Sequence, residues 1–350
     1  MRRQCSLGLC FILIWLGAIS SVAAQAPSGE VLAPAEHRRS PDQTFLTFPE
    51  WYLVHSPAEY AGFIASAEHP SRFPLYAHIG QFWQSYAAVN KEIAKYPFNA
   101  GYHLMVMVIG LSTTVEYALK ATYEHTIGRL AEATKSARQV PEEGFAARYA
   151  QSYVDFIRVD PWYKFDFLAQ LKLLWQDAPS AGPDLIRRWE RRFALTSELL
   201  VKEGYARLIK LGSQTVYDAP ESTTAIVLSA AASPAAAYPD LQPLGLSRSD
   251  GAVLATIPRY EGFTHYSQWL ASQGLDFVEI AGNRGEVLVS QIGPESWSPG
   301  RGRVLFEQAI LTQPGRKRVV FAVPIAGLAH ALRETSATRD AVVLEHVYDF

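Results

Sequence analysis

The chain has 350 residues, 49% hydrophobic and 19% charged, with 32 Lys and Arg against 34 Asp and Glu. That balance excludes a largely disordered chain and supplies no basic field for nucleic acid, so no nucleic-acid partner is expected, and the length suits about two domains. No phosphate-binding loop, zinc-protease helix, nucleophile elbow, paired-cysteine motif or dinucleotide fingerprint occurs, so no cofactor and no metal is expected.

Arg2 and Arg3 precede an apolar run from Leu7 to Ile19, and small residues follow through Ala26. This order reads as a secretory signal peptide over residues 1–24, cleaved after Ala24 or Ala26. The alternative is an uncleaved anchor, for which ~20 apolar residues are needed. Both cysteines, Cys5 and Cys10, lie in this segment, so the cleaved chain carries no disulfide and no thiol chemistry. The expected location is therefore outside the cytoplasm: periplasmic, with association to the inner membrane as an option. Residues 25–43 are rich in Pro, Ser and charge, and read as a flexible lead-in.

From 44 to 212 the apolar spacing is helical, with helices expected at 57–66, 74–96, 100–130, 142–157, 162–176 and 183–211. Ser56-Pro57 reads as a helix start. After Gly212 the pattern changes. Residues 230–243 read as a small-residue connection, and residues 215–229 as an optional edge strand. Strand, helix, strands, helix and strand follow to the C-terminus, an order similar to the split β-α-β sheets of ferredoxin-like domains. The fold class expected is α+β: an all-α helical domain over 44–212, then a ferredoxin-like α+β sandwich over 213–350 in which helices cover one face of a single antiparallel sheet. No internal repeat is visible. The C-terminal part is expected to fold alone, for example as a fragment from Gln242 to Phe350.

Thr47-Phe48-Pro49-Glu50-Trp51-Tyr52 and Phe277-Val278-Glu279-Ile280-Ala281-Gly282-Asn283 resemble segments of an uncharacterised bacterial envelope protein family. The resemblance implies an envelope location and no activity.

Leu104 to Leu119 is interrupted only by Ser112, Thr113, Thr114 and Glu116, and reads as a buried core helix or a membrane helix. Glu116 is expected to pair with Lys120 one turn on, or to be functional if the segment lies in lipid. Glu50 and His55 supply a carboxylate and an imidazole before the first expected helix, and with His103 and Glu116 they are the catalytic candidates. His78, Phe82, Trp83 and Tyr86 share one expected helix and are the candidates for lining a ligand pocket. Arg187, Arg188, Arg191 and Arg192 read as a solvated cationic flank or a phosphate contact. The leading expectation is an exported, non-catalytic interaction or scaffold protein near the inner membrane, whose C-terminal domain meets a protein partner. The rival is a periplasmic enzyme or carrier that binds an apolar small molecule among the helical aromatics.

Overall fold

The computed structural model describes residues 32–136, 139–177, 181–216, 222–233, 235–247, 251–338 and 341–350. The expected signal peptide and the first part of the expected lead-in lie outside the described residues. Helices come first: α1 (Thr47–Ala65), α2 (Leu75–Ile93), α3 (Ala100–Tyr123), a π-turn at Glu124–Gly128 leading into α4 (Arg129–Glu132), α5 (Pro141–Ile157), α6 (Phe167–Asp177) and α7 (Leu185–Val216). The first helix begins ten residues before the expected start, and Pro57 lies in its interior. Phe48, Trp51, Tyr52, Val54, His55 and Ser56 are all buried, so α1 is covered nearly all round. A helix buried on every side shows no apolar stripe, which is why the 3.6-residue period does not reveal its start.

The C-terminal half contains β1 (Thr223–Leu228), β2 (Gln242–Ser247), β3 (Val253–Pro258), α8 (Glu261–Ser272), β4 (Phe277–Ile280), β5 (Glu286–Pro294), β6 (Arg303–Ala309), β7 (Arg316–Pro324), α9 (Ile325–Ala337) and β8 (Val343–Val347). The chain is thus mixed helix and sheet, as expected, but two four-stranded antiparallel sheets form in place of one. Their orders are β2-β3-β1-β4 and β6-β7-β5-β8. Each sheet is made by a unit of three strands, a helix and a strand, and the pairing within the two units is the same. The C-terminal half is therefore a structural repeat, contrary to the sequence reading. Once aligned by topology, the two units share a short pattern at the strand–helix junction. Ile257-Pro258 precedes Gly262-Phe263-Thr264-His265, and Val323-Pro324 precedes Gly327-Leu328-Ala329-His330.

One core joins the inner faces of both sheets to α8 and α9, with Ile226, Ile257, Phe263, Phe321 and Leu328 among its members. The opposite face of the second sheet is also covered. Leu288, Val320 and Ala322 pack against Phe45, Phe48, Trp51 and Val89 from α1, α2 and the turn before them. The first sheet is covered by the lead-in, which is bound from Leu32 onward rather than flexible. Leu32 and Ala33 donate backbone N–H groups to the buried Glu279 carboxylate at 2.8 and 2.9 Å. Arg39 donates to Asp349 at 2.5 Å, where Arg259 also donates at 2.9 Å. Gly282 holds a positive φ of 83°, and the Arg38 side chain passes 3.0 Å from where a Cβ would stand, so a side chain here would strain the backbone and press on Arg38.

The strand near residue 225 is central, not an edge, because β1 lies between β3 and β4. A fragment from Gln242 to Phe350 lacks β1, which leaves β4 without a partner and β3 paired to β2 alone. It is expected to show no cooperative thermal transition by circular dichroism, and a sharp transition in that fragment refutes the reading.

Candidate functional site: an inverted helical bundle

In a soluble bundle, helices turn apolar residues inward and charges outward. Here α3 and α7 do the reverse. The inward face of α3 carries His103, Thr113 and Tyr117 beside Val106, Gly110 and Ala121. Its outward face carries Leu104, Val108, Leu111, Val115 and Leu119, all exposed. On α7 the exposed side is Ile186, Trp189, Phe193, Leu200 and Val201, joined by Trp175 of α6. Among the described residues, every exposed large apolar side chain except Leu244, Val304 and Val343 belongs to the helical half. The helix from Ala100 to Glu132 is long and apolar enough to cross a membrane, yet only 28% of its most apolar window is buried. The expectation of a buried core helix therefore fails: one face of α3 packs and the other is bare.

Paired charges share the interior with the buried Leu195, Leu199 and Ala206 of α7. Lys202 pairs with Glu116 at 3.1 Å, Lys120 with Glu198 at 3.2 Å and Arg191 with Glu124 at 2.8 Å. Arg187 donates to the Gly128 carbonyl at 3.1 Å. These contacts tie α3 and the π-turn to α7 in antiparallel order. Arg187 also meets Glu143 and Glu190 at 2.7 and 2.9 Å, and Glu142 receives both Arg188 and Arg192, at 3.2 and 2.9 Å. The four arginines are buried, so the expected solvated flank is corrected to an internal ion-pair ladder. Glu116 pairs across to α7, not with Lys120 as expected. Burial alone would raise the Glu198 carboxyl, but Lys120 and Lys202 outweigh it and hold the group well below its usual range.

A second polar network joins the helices to the second sheet. His55 Nε2 lies 3.0 Å from the Tyr348 hydroxyl, and its Nδ1 lies 3.3 Å from Glu345. Arg318 grips Glu345 with two bonds of 2.6 and 2.7 Å and reaches Glu59 at 3.1 Å. Glu59 stands 3.7 Å from His78 Nε2, and His78 Nδ1 is 3.0 Å from the Ser56 hydroxyl, which in turn meets Tyr117 at 2.7 Å. A serine, a histidine and a glutamate thus fall in a row, but Ser56 and His78 are fully enclosed, with Phe73 stacked on the imidazole at 4.6 Å. The row links α1, α2 and α3 to Arg318 of the second sheet.

Burial lowers His55 to about 4, against a partial opposing effect of Glu345, and lowers His78 to about 3. Both are neutral in the fold, while the unfolded chain takes up their protons below their ordinary value of about 6.5. Stability is therefore expected to fall as pH drops from about 6.5 towards about 5, above the main range in which carboxylates titrate in the unfolded chain. Urea unfolding across this range checks it: His55→Gln with His78→Gln should flatten the slope, and a profile flat down to about pH 4.5 in the unaltered protein overturns it.

The other candidates disperse. Glu50 accepts from the Tyr102 hydroxyl at 2.7 Å, and burial raises its carboxyl. His103 meets the Tyr86 hydroxyl at 2.8 Å and stacks on Phe98 at 4.5 Å. Phe82 and Trp83 pack α2 onto α3, where the lack of a side chain at Gly110 admits both rings, and Trp83 donates to Thr114 at 3.0 Å. The expected pocket along α2 is therefore a helix contact. A cavity lies among α1, α3, α5 and α7, and Glu116 alone of the eight candidates lines it. Its other polar walls, Lys120, Glu198, Lys202 and the tyrosines Tyr60, Tyr149 and Tyr153, were not anticipated. The i, i+4 pair of Glu198 and Lys202 was their only local signal. No family model, no curated protein and no solved structure matches this chain.

Proposed function

We propose that this protein is exported to the bacterial envelope and works there by binding rather than catalysis, its helical half seated on the inner membrane through the outer faces of α3, α6 and α7. The observation that carries this reading is the inverted polarity of α3 and α7, with apolar side chains outside and paired charges inside. Contiguous bare apolar surface is costly in water and needs a cover. Lipid is a suitable one, because the face offers apolar and aromatic side chains while the neighbouring charges are already paired inward. The seat lies on the membrane rather than across it. Gln84, Asn90 and Lys91 of α2 and Arg148, Gln151 and Asp155 of α5 face water on other sides of the bundle.

The catalytic alternative is disfavoured because Glu50, His55, His78, His103 and Glu116 do not meet in one concave site. The sheet half is the surface for a protein partner in this reading: among the described residues its three exposed large apolar side chains, Leu244, Val304 and Val343, all lie on edge strands, where another strand can add. Flotation with vesicles of phosphatidylethanolamine and phosphatidylglycerol tests the seat. The chain should rise with vesicles in low and high salt and be released by detergent, whereas protein left at the bottom of the gradient overturns the proposal.

A further inference from the structure

The interior of the bundle is hollow as well as charged. Between α1, α3, α5 and α7 lies a cavity of about 90 Å³, and a second of about 50 Å³ shares Tyr60, Lys120 and Glu198 in its wall. Two ammonium groups face the larger one. Lys120 pairs with Glu198 and lies 4.1 Å from the Tyr60 ring centroid. Lys202 bridges Glu198 at 3.0 Å and Glu116 at 3.1 Å, with the Tyr153 ring 5.1 Å away. The hydroxyls of Tyr60 and Tyr153 make no hydrogen bond among the described residues, so the wall holds donors that an oxygen-rich guest can use.

The two carboxylates are not equivalent. The Glu198 side chain is 21% exposed and sits between both lysines, whereas that of Glu116 is 43% exposed and holds only Lys202. Glu116 is also flanked by Val115 and next to Leu119 on the bare face of α3, and Lys202 adjoins Val201 on the bare face of α7. Charge inside and apolar surface outside therefore meet at one mouth. We infer that this cavity takes the oxyanion head of a single amphiphile, a carboxylate or phosphate on an apolar chain, with the head replacing Glu116 on Lys202 and the chain lying over Val115, Leu119 and Val201. The inference rests on the membrane-seat reading, because it needs the apolar face to be lipid-facing. Replacing one carboxylate by another anion keeps the charge balance of the wall, and Glu116 swings into water at little desolvation cost.

Calorimetric titration of the intact chain, without vesicles and below micelle-forming concentrations, uses four probes: dodecanoate, dodecyl phosphate, dodecanol and inorganic phosphate. Dodecanoate, dodecyl phosphate or both should bind at least ~10-fold more tightly than dodecanol or inorganic phosphate, since charge-assisted bonds and chain burial must act together. The tighter of the two charged probes identifies the head group. Glu116→Gln should tighten binding several-fold by removing the internal competitor, and Lys202→Gln should weaken it by ~10-fold or more. Dodecanol binding as tightly as the charged probes, or Glu116→Gln weakening their binding, overturns the inference. If Lys202→Gln does not fold, the Glu116→Gln gain decides alone. Flotation of the same proteins separates the two readings: vesicle binding without probe binding overturns the cavity assignment only, and probe binding without flotation overturns the seat.

Discussion

Changing Leu111 and Val115 together to glutamate should remove the protein from vesicles, lowering its partition by ~100-fold or more. Each apolar side chain contributes roughly 1.5–3 kcal/mol when buried, and an ionised group at the lipid face adds a further penalty. Both side chains project from α3 away from the bundle, so unfolding in urea should change by less than ~0.5 kcal/mol per site. Flotation beside a urea curve separates surface from fold. The spacing Leu104, Val108, Leu111, Val115 also suits pairing of α3 with a second copy, with leucine and valine alternating along the seam. Light scattering without lipid tests that occupant. A dimer that the double substitution converts to monomer, with flotation unchanged, assigns the face to a second chain and refutes the seat.

The limits of the sequence reading have a common physical origin. Helical periodicity reports that a helix has two unlike faces, but not which face is inside. The spacing of Arg187, Arg188, Arg191 and Arg192 was legible, and only the partners Glu124, Glu142 and Glu143, from elements 44 or more residues away, show that the charged face points inward. Strands β3 to β8 and the helices between them were legible because each carries its own apolar pattern. Strand β1, whose residues Thr224 to Leu228 are all buried, has no alternation to read, and β2 contains Pro243 and Gly245, which an edge strand tolerates but which mask it in sequence. The duplication escaped because the two units share little beyond a proline, a glycine and a histidine at one junction. His55 and His78 were legible as chemistry-bearing residues, whereas their partners Glu345 and Arg318 enter from the far end of the chain.

Arg318 is where the two halves depend on each other most directly. It is 1% exposed, and its guanidinium neutralises Glu345 and Glu59 beneath α1. Arg318→Met keeps much of the stem but leaves two carboxylates enclosed without their cation, and is expected to cost about 3–5 kcal/mol at neutral pH. Burial alone would raise Glu345; Arg318, and after it His55, more than offset this and hold it at about 2. In the unaltered protein that lowered value contributes stability above the ordinary carboxylate range, and the contribution is lost as pH falls through about 2. Without Arg318 the balance at Glu345 reverses towards burial, so the carboxyl accepts a proton at higher pH. His55, no longer opposed by the guanidinium, also protonates more readily beside it. Both changes relieve the unpaired charge as pH falls. The penalty measured by urea unfolding should therefore shrink between about pH 7 and about pH 5, although each protein alone loses stability over that interval. A penalty that stays constant across that interval would show that Arg318 acts by filling space and not by pairing charge, and would detach the histidine–carboxylate row from the electrostatics that join the bundle to the sheet.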